Sequence, residues 1–276
     1  MYNENDIKEF SKNARILAAK VLNKSRDSHI GGGYSSIDIL SVLYNGILNI
    51  NKNNLDDPNR DIFILSKGHI AATFYTVLAL KGFISIDQLY RHITDGSEFA
   101  GHTRKYKTLG VPGVEMSAGS LGHGANVGAG MAYAKRCMGY SGNVYVLLGD
   151  GECNEGSVWE AAMFAAKFQL SNLVLIIDHN RLQAYGADKD VMDMGCLADK
   201  FKAFGCDSVV VDGHNVSELY RVLTMATSVH PAKPKVIDAE TIKGKGASFM
   251  ENKLEWHFKS PDNQQLNMII EEQNRL

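Results

Sequence analysis

The chain has 276 residues and a formal net charge of −2, enough for one large α/β domain with a sizeable core. That balance leaves no basic footprint for nucleic acid or an anionic membrane surface, and no apolar run approaches membrane-spanning length. Four cysteines without close metal-ligand spacing (Cys137, Cys153, Cys196, Cys206) and an N-terminus without an apolar signal region read as a reduced, cytoplasmic protein.

In chain order, Ile7, Phe10, Ala14, Leu17, Ala18, Val21 and Leu22 recur at helical spacing and predict a first amphipathic helix. A second helix is expected from about Ser35 to Leu48, with Ser35 or Ser36 as its cap. Asp61 to Ser66 (DIFILS) reads as a short strand, and Gly68-His69 opens a helix that ends near Gly82. After a loop containing Gly101-His102, small residues dominate from about Gly122 to Arg136. They predict a helix that packs closely against a sheet or a second subunit.

Val144–Leu148 and Leu173–Ile177 are continuous apolar runs, as expected of parallel strands covered on both faces. A helix lies between them. Ser208–Val211 and Lys235–Ala239 read as further parallel strands, joined by a helix carrying Leu219, Val222, Leu223 and Ala226. A terminal helix starts near Asn263. Strands alternating with helices predict an α/β fold, a doubly wound and mostly parallel sheet flanked by helices, as a single domain over 1–276.

The two apolar strands end at Gly149-Asp150-Gly151 and Asp178-His179-Asn180. In such sheets ligands bind beyond the carboxyl ends of the strands, so Asp150 and Asn180 arrive together at that edge. One anionic oxygen beside one amide oxygen, with a diphosphate, suits a hard divalent cation such as Mg²⁺. The flanking glycines let the backbone turn sharply and approach a phosphate closely. The plainer alternative is that Asp150 caps a helix and Asn180 ends a strand. GSLGHG at 119–124 superficially suggests a dinucleotide loop, but it lacks the GxGxxG spacing and a preceding apolar strand.

GDG followed by a helix, a strand and Asn resembles the thiamine-diphosphate motif, and the flanking residues are similar to the transketolase family. The resemblance implies thiamine diphosphate with Mg²⁺ (Ca²⁺ or Mn²⁺ as alternatives). The metal would be held by Asp150, Asn180 and the carbonyl of Leu182, with Gly151 against the cofactor. It implies that His69, in Ser66-Lys67-Gly68-His69, reaches the diphosphate. His29, in Ser28-His29-Ile30-Gly31-Gly32, and His102, in Ala100-Gly101-His102, would line the substrate channel and bind sugar hydroxyls. His257, in Glu255-Trp256-His257 after Lys243-Gly244-Lys245-Gly246, would contact the diphosphate and act near the reacting carbons. Gly119 would offer its carbonyl to the cofactor's amino group, and Leu121 would pack against the aminopyrimidine and hold its bent form. Glu155 and Glu160 would join a carboxylate network linking two cofactor sites. The chain departs from the family pattern at Ile30 and Thr103, where proline is usual, and at Phe258, where glycine is usual. The lysines of the KGKG loop also read simply as solvated, while Arg104 and Lys105 suit an anionic substrate.

The family chemistry needs a glutamate at the cofactor's pyrimidine and a distal anion site, both on a second α/β domain for which 276 residues hold no candidate. The chain starts with Met and ends in a helix, so the expectation is a naturally split enzyme. This would be the N-terminal subunit of a two-subunit transketolase, paired with a C-terminal subunit carrying the pyrimidine-binding domain, two copies of each. It would transfer a two-carbon ketol group from a ketose to an aldose through a thiamine-diphosphate enamine, with His29, His102 and His257 handling hydroxyl protons. Nucleic acid and membrane are not expected partners. Two alternatives stay open: half of another thiamine-diphosphate enzyme (a decarboxylase or a deoxyxylulose-phosphate-synthase relative), or a non-catalytic cofactor-binding subunit.

Overall fold

The computed structural model describes residues 3–228 and 232–275, so the expected domain limits, 1 and 276, lie outside the described residues. Five strands, β1 (Ile62–Leu65), β2 (Val144–Gly149), β3 (Leu173–His179), β4 (Asp207–Asp212) and β5 (Lys235–Glu240), form one sheet in the order β1-β2-β3-β5-β4. Every neighbouring pair is parallel, and Gly149 stands opposite Asp178 in the central register. All seven residues of β3 are buried, which is why that stretch reads as an uninterrupted apolar run. The doubly wound parallel sheet is as expected.

Helices α1 (Glu4–Ser25), α2 (Ile30–Val42), α3 (Ala71–Leu80), α4 (Ile86–Leu89) and α5 (Gly124–Cys137) come from the first half of the chain. They are followed by α6 (Gly156–Lys167), α7 (Asp188–Met192), α8 (Leu197–Ala203), α9 (Val216–Ser228) and α10 (Asn263–Arg275). One apolar layer joins Phe63, Leu65, Leu147 and Ile176 of the sheet to Leu40, Phe74, Val77 and Leu219. The opposite layer joins Val146, Leu148, Leu175 and Ile177 to Ala129, Ala132, Ala162 and Phe201. In α5 the small residues admit close packing on the sheet: a Cβ on Gly128 would come within 2.5 Å of Val146 Cγ2. Gly130, on the same helix, has nothing within 4 Å of an added Cβ and faces outward.

The second helix differs from the sequence reading. It begins at Ile30 rather than Ser35, with His29 at its N-cap in the left-handed region (φ 72°), and its last turn widens into a π-helical segment over Leu43–Ile47. Three consecutive glycines argue against a helix on propensity, but here packing overrides it. A Cβ on Gly33 would lie 2.1 Å from Thr73 Oγ1, so α2 can approach α3 only with glycine at that position. Ser35 and Ser36 are therefore not caps; they are buried within the helix, and both hydroxyls donate to Asp178 Oδ2 (2.6 and 2.8 Å). The short helices α4, α7 and α8 have no counterpart in the sequence reading.

Deeper along α2, Asp38 accepts from Arg15 (2.7 Å) and pairs with His214 Nδ1 (2.8 Å). Burial alone would raise its carboxyl, but the Arg15 guanidinium and His214 override this and hold it well below its ordinary 3.8. A depressed folded-state value contributes stability that is present above the ordinary pKa and lost as pH falls below it. The stability gap between wild type and Asp38→Asn should accordingly be constant above about pH 5 and shrink below about pH 4. Urea midpoints measured across that range check it; a gap independent of pH would show that Asp38 is not held ionised.

Candidate active site

At the carboxyl edge of the sheet, Asp150 follows β2 and Asn180 follows β3, as the alternating topology requires. Asp150 is buried, and its two carboxylate oxygens accept only backbone N–H groups, from Gly151 (2.7 Å) and Arg181 (2.6 Å). Burial, and then the nearby Asp178 carboxylate, raise its pKa above the ordinary value. Among the described residues no cationic side chain is hydrogen-bonded to it, and a cation placed there would stabilise the buried carboxylate. Asn180 is also buried; its Oδ1 accepts from Leu182 N (3.1 Å). Leu182 sits at the base of a small hairpin, bridged to Ala187, and its carbonyl accepts from Lys243 Nζ (2.8 Å). An oxygen set of one carboxylate, one amide and one peptide carbonyl fits a hard divalent cation. His179 Nε2 and an Asp188 oxygen also lie within 4.8 Å of an Asp150 oxygen.

Four imidazoles come together beside this edge. The His29 ring lies 5.1 Å from both His69 and His257 and 6.4 Å from His102, and His69 is 5.7 Å from His257. They arrive from four separate segments: the N-cap of α2, the single turn Gly68–Ile70 after β1, the loop ahead of α5, and the short turn Leu254–His257. His29 and His257 are further tied by a backbone bond, His29 N donating to His257 O (3.2 Å). Burial, then Lys67, keeps His69 well below its ordinary value. Burial likewise lowers His29, and burial with Lys243 brings His257 down to about 3. Neutral imidazoles each offer one donor and one acceptor, as binding to sugar hydroxyls requires.

Two buried lysines complete the centre. Lys67 pairs with Asp178, which also accepts from Ser35, Ser36 and Thr241, and it donates to Gly32 O (3.2 Å). Lys243 contacts His257 Nδ1 (2.9 Å), and burial followed by Lys67 brings its pKa down to about 8. Lys243 is 1% exposed, which corrects the reading of the KGKG loop as merely solvated. Its loop follows β5, so its residues lie at the same sheet edge as Asp150.

Of the other expected residues, Gly119 is exposed with nothing within 4 Å of an added Cβ, and Leu121 is half-buried, so both border open space. Gly151 lies in the turn directly after Asp150, against the Gln183 side chain. Glu155 and Glu160 are exposed. The buried acid of that turn is Glu152, which accepts from Ser66 Oγ, Gly122 N (2.8 Å) and Gly149 N (3.2 Å) and ties three loops together. Lys67, Glu152 and Asp178 belong to this centre without having been expected from the sequence. Asp178 carries a signal, since a charged residue inside a buried strand has to be paired.

The transketolase, thiamine diphosphate binding domain family matches residues 7–270. The chain is 39% identical over 269 residues to an apulose-4-phosphate transketolase subunit of Actinobacillus succinogenes, covering 96% of this chain and 95% of that protein. It is 36% identical over 252 residues to the 6-deoxy-6-sulfo-D-fructose transketolase subunit SqwG of a Clostridium species, covering 91% of this chain and 90% of that one. The crystal structure of transketolase from Campylobacter jejuni superposes with a TM-score of 0.91 at 29% identity, over 99% of this chain and 43% of that chain. The chain therefore spans less than half of the full-length enzyme while matching the separate subunits over almost their whole length. With the Asp150 edge and the imidazole cluster in place, the chain belongs to the transketolase family, as its N-terminal, thiamine diphosphate binding part.

Proposed function

We propose that this chain is the N-terminal subunit of a two-subunit transketolase that moves a two-carbon ketol group from a ketose to an aldose. The observation that carries the reading is the convergence of His29, His69, His102 and His257 on the edge where Asp150, Asn180, Lys67 and Lys243 meet. Asp150, Asn180 Oδ1 and the Leu182 carbonyl would hold Mg²⁺, or Ca²⁺ or Mn²⁺ in its place. Lys243 would supply positive charge and a donor, and neutral His69 an N–H, for a diphosphate, while Lys67 neutralises Asp178 behind them. Thiamine diphosphate, when bound, supplies the nucleophilic carbon and the electron sink for carbon–carbon cleavage. His29, His102 and His257 would then bind substrate hydroxyls and move their protons; because His257 Nδ1 accepts from Lys243, its Nε2–H would be the donor toward substrate. Gly119 and Leu121 would border the aminopyrimidine, with Gly151 against the diphosphate. Glu155 and Glu160, both exposed, would join a carboxylate network linking two cofactor sites.

The pyrimidine glutamate and the distal substrate anchor fall to a partner chain carrying the pyrimidine-binding domain, in an assembly of two copies of each. The naming of the relatives as subunits and the 43% coverage of a full-length enzyme support this. The exposed Arg104 and Lys105 after His102 favour a ketose or aldose with an anionic group, and the relatives are named for phosphorylated and sulfonated sugars. We place the protein in the cytoplasm on the strength of its four free cysteines. No helix among the described residues is long and apolar enough to cross a membrane. The test of the activity is mass spectrometry of the products formed by the reconstituted pair from a ketose donor and an aldose acceptor. An acceptor lengthened by two carbons is expected; decarboxylation of a 2-oxo acid with no such product would favour another member of the cofactor class.

A further inference from the structure

The side chain of Asn180 is a planar amide with an acceptor at one end and two donors at the other, and only the oxygen end can hold a cation. Which end faces the cation is decided by what holds the nitrogen. Asn180 is 6% exposed, so its Nδ2 depends on an acceptor inside the protein. Among the described residues that acceptor is Ser35 Oγ, 3.3 Å away in the middle of α2. The opposite end, Oδ1, lies on the Leu182 side, where it meets Leu182 N (3.1 Å).

Ser35 has no choice of role toward that amide. Its hydroxyl carries one hydrogen, and its other close polar neighbours, Asp178 Oδ2 (2.6 Å) and the Gly32 carbonyl (3.0 Å), are both acceptors. Asp178 pairs with Lys67 and also accepts from Thr241 Oγ1. Whichever of the two takes the Ser35 hydrogen, Asn180 meets a lone pair and turns Nδ2, not Oδ1, toward Ser35. We infer, on the reading that Asn180 Oδ1 holds the cation, that Ser35 is a positioning residue for the metal set, which keeps the amide nitrogen inward and the amide oxygen on the cation side. The buried Lys67–Asp178 pair thereby sets the polarity of a bond that ends at a metal ligand. Ser36, the next residue, donates to the same Asp178 Oδ2 (2.8 Å), lies 3.1 Å from Gly32 O and accepts from Lys67 Nζ (3.2 Å), but it has no bond to Asn180.

The two serines form a matched pair for the test, since Ser35→Ala and Ser36→Ala each remove one donor from Asp178 Oδ2 and only the first touches Asn180. The chain reconstituted with its partner and saturated with thiamine diphosphate is titrated with Mn²⁺, and free Mn²⁺ is read by electron paramagnetic resonance. Ser35→Ala should weaken Mn²⁺ binding about tenfold or more, the usual loss when the hydrogen-bond partner of a metal ligand is removed. Ser36→Ala should bind Mn²⁺ as the wild type does. Ser35→Cys, which keeps a weak acceptor in the same place, should fall between wild type and Ser35→Ala, and it carries the test if the alanine variant does not fold. Wild-type affinity in the Ser35 variants, or equal weakening in Ser36→Ala, would overturn the role of Ser35 and leave the cation site standing. Absence of cofactor-dependent Mn²⁺ binding in the wild type would overturn the cation site and the role of Ser35 together.

Discussion

Asp150→Ala should lose cation-dependent binding of thiamine diphosphate while the apo chain keeps its fold. Among the described residues Asp150 makes two backbone hydrogen bonds, with Gly151 and Arg181, and no ion pair. Its removal breaks no ion pair among the described residues, although it takes a neighbouring negative charge from the buried Lys243, so the loss of stability should be modest. With the cofactor the situation reverses, because the carboxylate is the one anionic oxygen in the proposed metal set. Cofactor at a hundred times its Kd stabilises the native state by about 2.7 kcal/mol if only that state binds. Thermal unfolding of wild type and variant, each with Mg²⁺ or with EDTA and with the partner present, reads this directly. The wild type should gain stability only when cofactor and Mg²⁺ are both present, and the variant should gain none. An equal gain in both would remove Asp150 from the metal site.

The second large effect is on turnover. His29→Ala and His257→Ala should each lower kcat/KM by about 10²- to 10⁴-fold, the usual loss for a positioned acid–base group, with little change in unfolding midpoint. Neither ring belongs to the apolar layers. His29 caps α2 from the left-handed region and bonds Ser28 Oγ through Nδ1 (2.8 Å), while His257 meets Lys243. Steady-state kinetics of ketol transfer by the reconstituted enzyme, beside thermal melts of the same samples, separates chemistry from folding. Near-wild-type kcat/KM in both variants would make the imidazoles structural.

Much of this centre is legible along the chain, and the parts that are not share a cause. Asp150, Asn180 and the strands before them declare themselves because a parallel sheet buried on both faces writes continuous apolar runs, and its ligand edge is fixed by topology. The start of α2 is hidden, because Gly31–Gly33 read as a loop until the neighbouring Thr73 shows why only glycine fits. Ser35 and Ser36 mislead for the same reason: their hydroxyls serve Asp178 from the middle of a helix rather than a helix end. Lys243 cannot be told from a solvated lysine in the sequence, since its burial comes from the packing of the Leu254–His257 turn and the Leu182 hairpin around it. Glu152 hides behind Glu155 because a turn of single-residue steps decides which acid points inward.

The central claim is that this chain holds the diphosphate half of a catalytic centre whose other half is on a second polypeptide. An obligate interface of that kind commonly buries about 2,000–5,000 Å², and the outward residues of α5, Gly130 among them, remain available for it. Titrating the purified partner into a fixed amount of this chain, with Mg²⁺ and thiamine diphosphate saturating, tests the claim most directly through the rate of ketose-to-aldose transfer. The rate should be zero without the partner, rise with it and level off at equal molar amounts of the two chains. Full turnover by this chain alone would contradict it.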